Sequence, residues 1–114
     1  MLTEFLYLYR GGDSPTSPAE GQQVMQQWMA WMKDLGEKGY LKAVGSPLEK
    51  TGKLVSGKTK AVSDGPFAEA KDLIGGYTLV QAKDIDDAVA ASLGCPIFLA
   101  GGAVEVRPIL QKNM

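Results

Sequence analysis

The segment from Leu2 to Arg10 places the tightest limit on the fold. In an extended chain Leu2, Leu6 and Leu8 fall on one face and Phe5, Tyr7 and Tyr9 on the other, with Glu4 the exception. A strand that is apolar on both faces needs cover on both sides, which predicts a central place in its sheet. Gly11-Gly12-Asp13 ends the strand, and Ser14 to Ser17 reads as a loop.

A helix start follows. Ser17 is placed to cap, Pro18 suits the first helical position, and Glu20 is positioned to reach back to the Ser17 amide as a capping box. The helix is expected to run to about Glu37, ending near Gly36 or Gly39. Val24, Met25, Trp28, Met29, Trp31, Met32 and Leu35 spread over roughly 160° of its circumference, wider than one core-facing stripe needs. That width predicts a helix packed on a sheet that also touches a partner chain. A Met- and Trp-lined ligand groove is the alternative.

Tyr40 to Leu48 reads as a second strand, weakened by Gly45 and stopped near Pro47. Lys53 to Ser56 and Thr59 to Ser63 read as a hairpin around Ser56-Gly57-Lys58. This hairpin contains a letter-for-letter match to the phosphate-loop pattern, Gly52-Lys53-Leu54-Val55-Ser56-Gly57-Lys58-Thr59. Phosphate binding there requires a buried strand before the loop and a helix after it, so that helix N-terminal amides cradle the anion. Pro47 to Thr51 is no buried strand, and four residues before Asp64-Gly65-Pro66 leave no room for a helix. Nucleotide binding is therefore rejected.

The stretch Ser63 to Gly76 is chemically dense. Asp64-Gly65 signals a turn, Pro66 fixes its own φ, and Phe67 is large and apolar. Two readings stay open: a rigid connector whose Phe67 plugs the core, and the rim of a ligand pocket. Gly76 to Lys83 is a strand with Tyr77, Leu79 and Gln81 on one face and Thr78, Val80 and Ala82 on the other. Asp84 is expected to cap a second helix whose buried stripe is Ile85, Ala88, Val89 and Leu93. Asp86 and Asp87 sit where its dipole favours them. Gly94 ends it, and Pro96 to Ala100 has room for one more short helical piece. Ala103 to Leu110 is the last strand, with Val104, Val106 and Leu110 on one face and Glu105, Arg107 and Ile109 on the other.

The order is β-α-β, a hairpin, the Asp-Gly-Pro-Phe loop, then β-α-β. This predicts one domain over residues 1–114 of the α+β class. Its architecture is ferredoxin-like, with an antiparallel sheet and both helices on one face. The other sheet face also carries apolar and aromatic groups, a mismatch that a homodimer burying sheet against sheet would resolve.

A chain of 114 residues buries roughly two-thirds of its unfolded surface. The net charge of −1 gives no long-range attraction to nucleic acid or an anionic membrane. The local cluster Lys50, Lys53, Lys58 and Lys60 reads as a solvated hairpin. Cys95 is the only cysteine, which excludes an internal disulfide and suggests a reducing compartment. Its apolar surroundings suit an inert buried thiol. With no histidine in the chain, the usual general base and zinc ligand are missing, so no metal site is expected. The first residues lack a signal-peptide pattern and no apolar run reaches spanning length, so a cytoplasmic protein without a membrane partner is expected.

Asp64-Gly65-Pro66-Phe67-Ala68-Glu69 with Lys71, then Gly75-Gly76-Tyr77, an aspartate-capped helix and the run from Gly101 to Ile109 together resemble the YCII-related proteins. More narrowly they resemble the branch with the DGPF motif, over essentially the whole chain. The resemblance implies a ferredoxin-like fold in the dimeric α+β barrel superfamily, where two sheets pack into a barrel. Some YCII relatives have a histidine and an aspartate proposed as an active pair. This chain has no counterpart of the histidine, and Asp64 matches the motif aspartate.

The expected pocket lies between the sheet and the Asp-Gly-Pro-Phe loop, near Tyr7, Tyr9, Asp64, Phe67, Lys71, Glu105 and Arg107. The first and last strands are neighbours in this fold, which suggests a Tyr, Glu and Arg cluster facing the barrel interior. The alternative is that Glu105 and Arg107 pair across the dimer. As an enzyme, the protein would use Asp64 as general acid or base, its pKa raised by burial beside Phe67. Arg107 would hold an anionic or carbonyl oxygen of a small substrate, and Tyr7 would donate a hydrogen bond. The superfamily includes monooxygenases and lyases that work without metals, so no cofactor is demanded. The second expectation is a non-catalytic small-molecule-binding or regulatory homodimer.

Overall fold

The computed structural model describes residues 1–65 and 72–111. The elements are β1 (Thr3–Arg10), α1 (Pro18–Glu37), β2 (Leu41–Pro47), β3 (Lys53–Ser56), β4 (Ala61–Asp64), β5 (Ile74–Ala82), α2 (Ile85–Ser92), a 3-10 turn at Pro96–Ala100, and β6 (Ala103–Pro108). Four strands form one sheet in the order β2-β5-β1-β6, and β3 and β4 form a separate two-stranded sheet. Every neighbouring pair is antiparallel. This is the ferredoxin-like α+β arrangement, with β1 between β5 and β6 as its two apolar faces predict. The four-stranded sheet is open and does not close on itself within one chain.

Alternation along β1 separates the two faces. Phe5, Tyr7 and Tyr9 are buried on the helix side, together with Thr78, Val80 and Ala82 of β5. Trp31 and Leu35 of α1 and Ala88 of α2 complete this core, with Cys95 and Ile97 at its end. Tyr7 stacks on Trp31 with ring centres 6.0 Å apart, and Tyr9 meets Trp28 edge-on at 4.7 Å. Such aromatic pairs add about 0.5–1.5 kcal/mol each beyond their burial.

The helix starts show local chemistry at work. The Ser17 hydroxyl accepts the Glu20 amide at 3.1 Å, with Pro18 in the first turn. The expected return bond from Glu20 to the Ser17 amide is replaced. The Glu20 carboxylate instead accepts the Thr16 hydroxyl at 2.9 Å, a donor one residue outside the cap. On α1 the wide apolar arc is only partly used, since Met25 and Met29 are each 65% exposed.

The second helix corrects the sequence reading. Asp84 caps it as expected, accepting the Asp87 amide at 2.8 Å. Of the expected buried stripe only Ala88 is buried, joined by Ser92, while Ile85, Val89 and Leu93 face outward. The cause is close approach: the Tyr7 hydroxyl donates to the Ala88 carbonyl at 2.5 Å, so only small side chains fit on that face. Hydrophobicity alone pointed to the larger residues.

In β2, Gly45 sits at φ +74°, where the pairing with β5 slips. A Cβ there would run into the Tyr77 carbonyl, so both the bulge and its position depend on glycine. The hairpin turn spans Gly57 to Lys60, two residues wider than the sequence suggests, and the strand after it starts at Ala61 rather than Thr59. The phosphate-loop match thus lies on β3 and this turn, with a strand rather than a helix behind it. The last strand stops at Pro108, short of Leu110, although the Ile109 amide still donates to the Glu4 carbonyl at 3.0 Å.

The chain is more extended than a typical monomer of its mass. Its accessible surface is 8219 Å², against about 6,100 Å² for a typical 12.2 kDa monomer. Its radius of gyration is 15.8 Å, against about 13 Å for a compact chain of this length.

Candidate functional site

Among the described residues, no helix or strand covers the face of the sheet opposite the helices. Glu4, Leu6, Leu8 and Arg10 of β1 lie there, between the buried residues of the alternation. The register sets Leu6 against Leu79 and Arg107, and Leu8 against Tyr77 and Glu105. An apolar centre of Leu6, Leu8, Leu79 and Tyr77 therefore borders a charged group on β1 and β6.

That group is built around Glu105. Arg10 donates to Glu105 Oε1 from both Nε and Nη2, each at 2.6 Å, and both side chains are about 30% exposed. Arg10 Nη1 also donates to the Asp72 carbonyl at 2.6 Å. The Arg10 guanidinium is thus fully engaged and anchors the chain just before β5 to the sheet. Arg107 reaches the other carboxylate oxygen only loosely, at 3.5 Å, and its side chain is 66% exposed. Two guanidinium groups around one carboxylate leave the cluster one positive charge in excess. Arg10 holds Glu105 closely, and among the described residues the planar donor fork of Arg107 has only this loose contact, a geometry that suits a carboxylate or phosphate.

The same end of the sheet is held by a close backbone approach. A Cβ on Gly102 would lie 2.6 Å from Ile97 Cγ1 and 2.8 Å from the Arg10 carbonyl. Glycine there lets β6 begin tight against β1, which brings Glu105 within reach of Arg10.

The structure divides the expected site residues into separate groups. Tyr7 and Tyr9 pair with Val106 and Val104, whereas Glu105 and Arg107 alternate to the opposite face. The strands are neighbours, but no Tyr, Glu and Arg cluster forms within the chain. The Tyr7 hydroxyl is committed to Ala88. That of Tyr9 donates to Thr78 Oγ1 at 2.6 Å, and Thr78 in turn donates to the Val44 carbonyl at 2.9 Å. Burial, the largest influence, pushes both phenols well above their ordinary range. In the chain as it stands, neither tyrosine has a hydroxyl proton to offer a ligand.

Asp64 ends β4, its side chain 82% exposed, in a 2.5 Å ion pair with Lys53. The burial on which the acid–base expectation relied is therefore missing within the described chain. Phe67 and Lys71 lie outside the described residues. Cys95 is buried as expected, and burial pushes its thiol up to about 12. The thiolate that a nucleophile needs is thus scarce near neutral pH.

Arg10 is the site residue that sequence reading missed. The signal was available in the period of two that runs from Leu6 and Leu8 to Arg10. Asp87 is a second polar feature, on the helix side. Its carboxyl is held below the ordinary range by the Lys83 amide and then by the Tyr40 hydroxyl, which donates at 2.8 Å. This ties the start of α2 to the start of β2. Beside it a shallow crevice of about 230 Å³ is lined by Trp31, Asp34, Lys38, Tyr40 and Gly94.

Among the described residues there is no group of three or more cysteine or acidic side chains able to hold a metal ion. No helix among them is long and apolar enough to cross a membrane. The sequence matches no curated protein. It does match the family model of the YCII-related domain, over residues 5–113. With that span running from within β1 to beyond the end of β6 and the ferredoxin-like sheet in place, the chain belongs to the YCII-related family.

Proposed function

We propose that this protein is a small-molecule-binding homodimer in which two open sheet faces meet and close a barrel. The observation that carries the reading is the uncovered face itself. Leu6, Leu8, Leu79 and Tyr77 are patterned as an interior, beside a half-buried Arg10–Glu105 pair, and no element among the described residues lies over them. The surplus of roughly 2,100 Å² per chain over a typical monomer exceeds the roughly 800 Å² per partner that a standard interface removes from water. In this reading Arg107 receives the anionic group of the ligand at the charged end of the barrel. The Asp64-Gly65-Pro66-Phe67 sequence assigns the chain to the DGPF branch, and the lone buried thiol suits a cytoplasmic setting.

Binding is favoured over catalysis by the placement of Asp64, an exposed carboxylate already paired with Lys53. The enzyme alternative, with Asp64 as acid or base and no cofactor, requires the assembled dimer to bury that carboxylate. A thermal-shift screen against small aromatic carboxylates and organic phosphates tests the reading. The expected hit raises the melting temperature by several degrees, and Arg107→Ala abolishes the shift while leaving the free protein's melting temperature unchanged. A hit indifferent to Arg107→Ala would remove the anion seat. If a hit is turned over and Asp64→Asn stops turnover without weakening binding, the enzyme alternative replaces the binding reading.

A further inference from the structure

The β3–β4 hairpin is a separate two-stranded sheet rooted between β2 and β5. All eight of its strand residues are exposed. Two-stranded hairpins without a packed face are marginal in water, so this one gains little from standing alone. Its composition is not that of a solvated loop. Val55 and Val62 are directly opposed across the strands, each 62% exposed, and Leu54 is 43% exposed. On the same face as the valines, the Lys53–Asp64 ion pair sits at the hairpin base, where the Gly65 amide donates to the Gly52 carbonyl at 2.8 Å. The base is locked and the apolar pair is held out on the arm.

We infer that this hairpin is a clasp that packs its Val55–Val62 pair against a second copy of the chain. The inference rests on the homodimer proposed above and adds to it a second contact outside the sheet face. Three observations favour a second copy as the occupant. The excess of roughly 2,100 Å² in accessible surface exceeds the roughly 800 Å² per partner of a standard interface, leaving area for more than one contact. A radius of gyration of 15.8 Å against about 13 Å for a compact chain marks a fold with projecting parts. The end of β2, from which the chain runs on into the arm, pairs Pro47 with Gly76 next to Tyr77, so a copy seated on the open face there lies near where the arm departs.

The test is the dimer dissociation constant of the Val55→Lys, Val62→Lys variant, measured by sedimentation with circular dichroism as a check on folding. Both positions are already solvent-exposed in the single chain, so the fold is expected to survive. The clasp predicts at least a roughly tenfold weaker dimer, the scale of removing an interface anchor. Hydrogen exchange gives a second reading. The amides of Leu54 to Ser56 and Ala61 to Ser63 should be protected in concentrated wild-type protein and lose protection on dilution. A wild-type dimer whose dissociation constant and arm exchange ignore both the substitutions and the dilution would overturn the clasp alone. Wild-type protein that is monomeric at every concentration would overturn both the clasp and the sheet dimer.

Discussion

The two faces of the four-stranded sheet carry similar patterns and meet different fates. On one, Phe5, Tyr7 and Tyr9 are 2%, 0% and 6% exposed under two helices, and each tyrosine hydroxyl has a partner inside the chain. On the other, Leu6 and Leu8 alternate with them along the same strand but are only partly buried, and no helix lies over them. An apolar alternation reports that a face wants cover. It does not say whether the cover comes from the same chain. The surface surplus is the basis on which we propose that the cover is another molecule.

This contrast predicts different responses to the same kind of substitution. The largest effect belongs to the covered face. Leu35 is 1% exposed, and Leu35→Ala should cost about 2–5 kcal/mol in urea unfolding through lost burial and a cavity. That loss should appear at every protein concentration. A loss below 1 kcal/mol would mean the helix-side core is looser than its burial implies.

A smaller effect is expected from pH. Tyr7, Tyr9 and Cys95 have pKa values raised by burial, so the unfolded chain loses these protons first as pH rises. Their contribution to stability is complete below the ordinary thiol and phenol range and falls above about pH 9, by up to about 1.4 kcal/mol per pH unit for each group. Denaturation midpoints measured from pH 8 to pH 11 should therefore decline. Tyr7→Phe should flatten the decline while costing about 1–3 kcal/mol near neutrality, because the Ala88 carbonyl loses its partner. A flat alkaline profile would contradict the burial of these groups.

The smallest effect is expected at Asp64. Its ion pair with Lys53 is exposed, and Asp64→Asn should change monomer stability by no more than about 1 kcal/mol. A larger loss would show that the hairpin base bears on the core.

Much of the fold could be read from residue patterns because those patterns answer to local physics. The two-faced Leu2–Arg10 strand is central, Ser17 and Asp84 cap their helices, and Gly45 interrupts the second strand. The inward face of α2 was legible only at Ala88, because the rest was decided by a single long-range contact. The Tyr7 hydroxyl selects Ala88 and Ser92 over Ile85 and Val89. The candidate site divides similarly. Glu105 and Arg107 were visible as charges on one face of the last strand. Their separation from Tyr7 and Tyr9 depends on cross-strand register, which alternation within single strands does not set. Arg10 was overlooked as the end of an apolar strand, yet it holds Glu105 most closely.

The central claim is that the open sheet face is an interface between two copies. Sedimentation equilibrium of the wild type beside Leu8→Lys tests it most directly. The wild type should sediment at twice the 12.2 kDa chain mass at micromolar concentration. The Leu8→Lys variant should sediment as a folded single chain, since a lysine at that position places charge at the centre of the apolar face. A wild type that sediments as one chain, or a Leu8→Lys variant that remains a dimer with unchanged affinity, would contradict the claim.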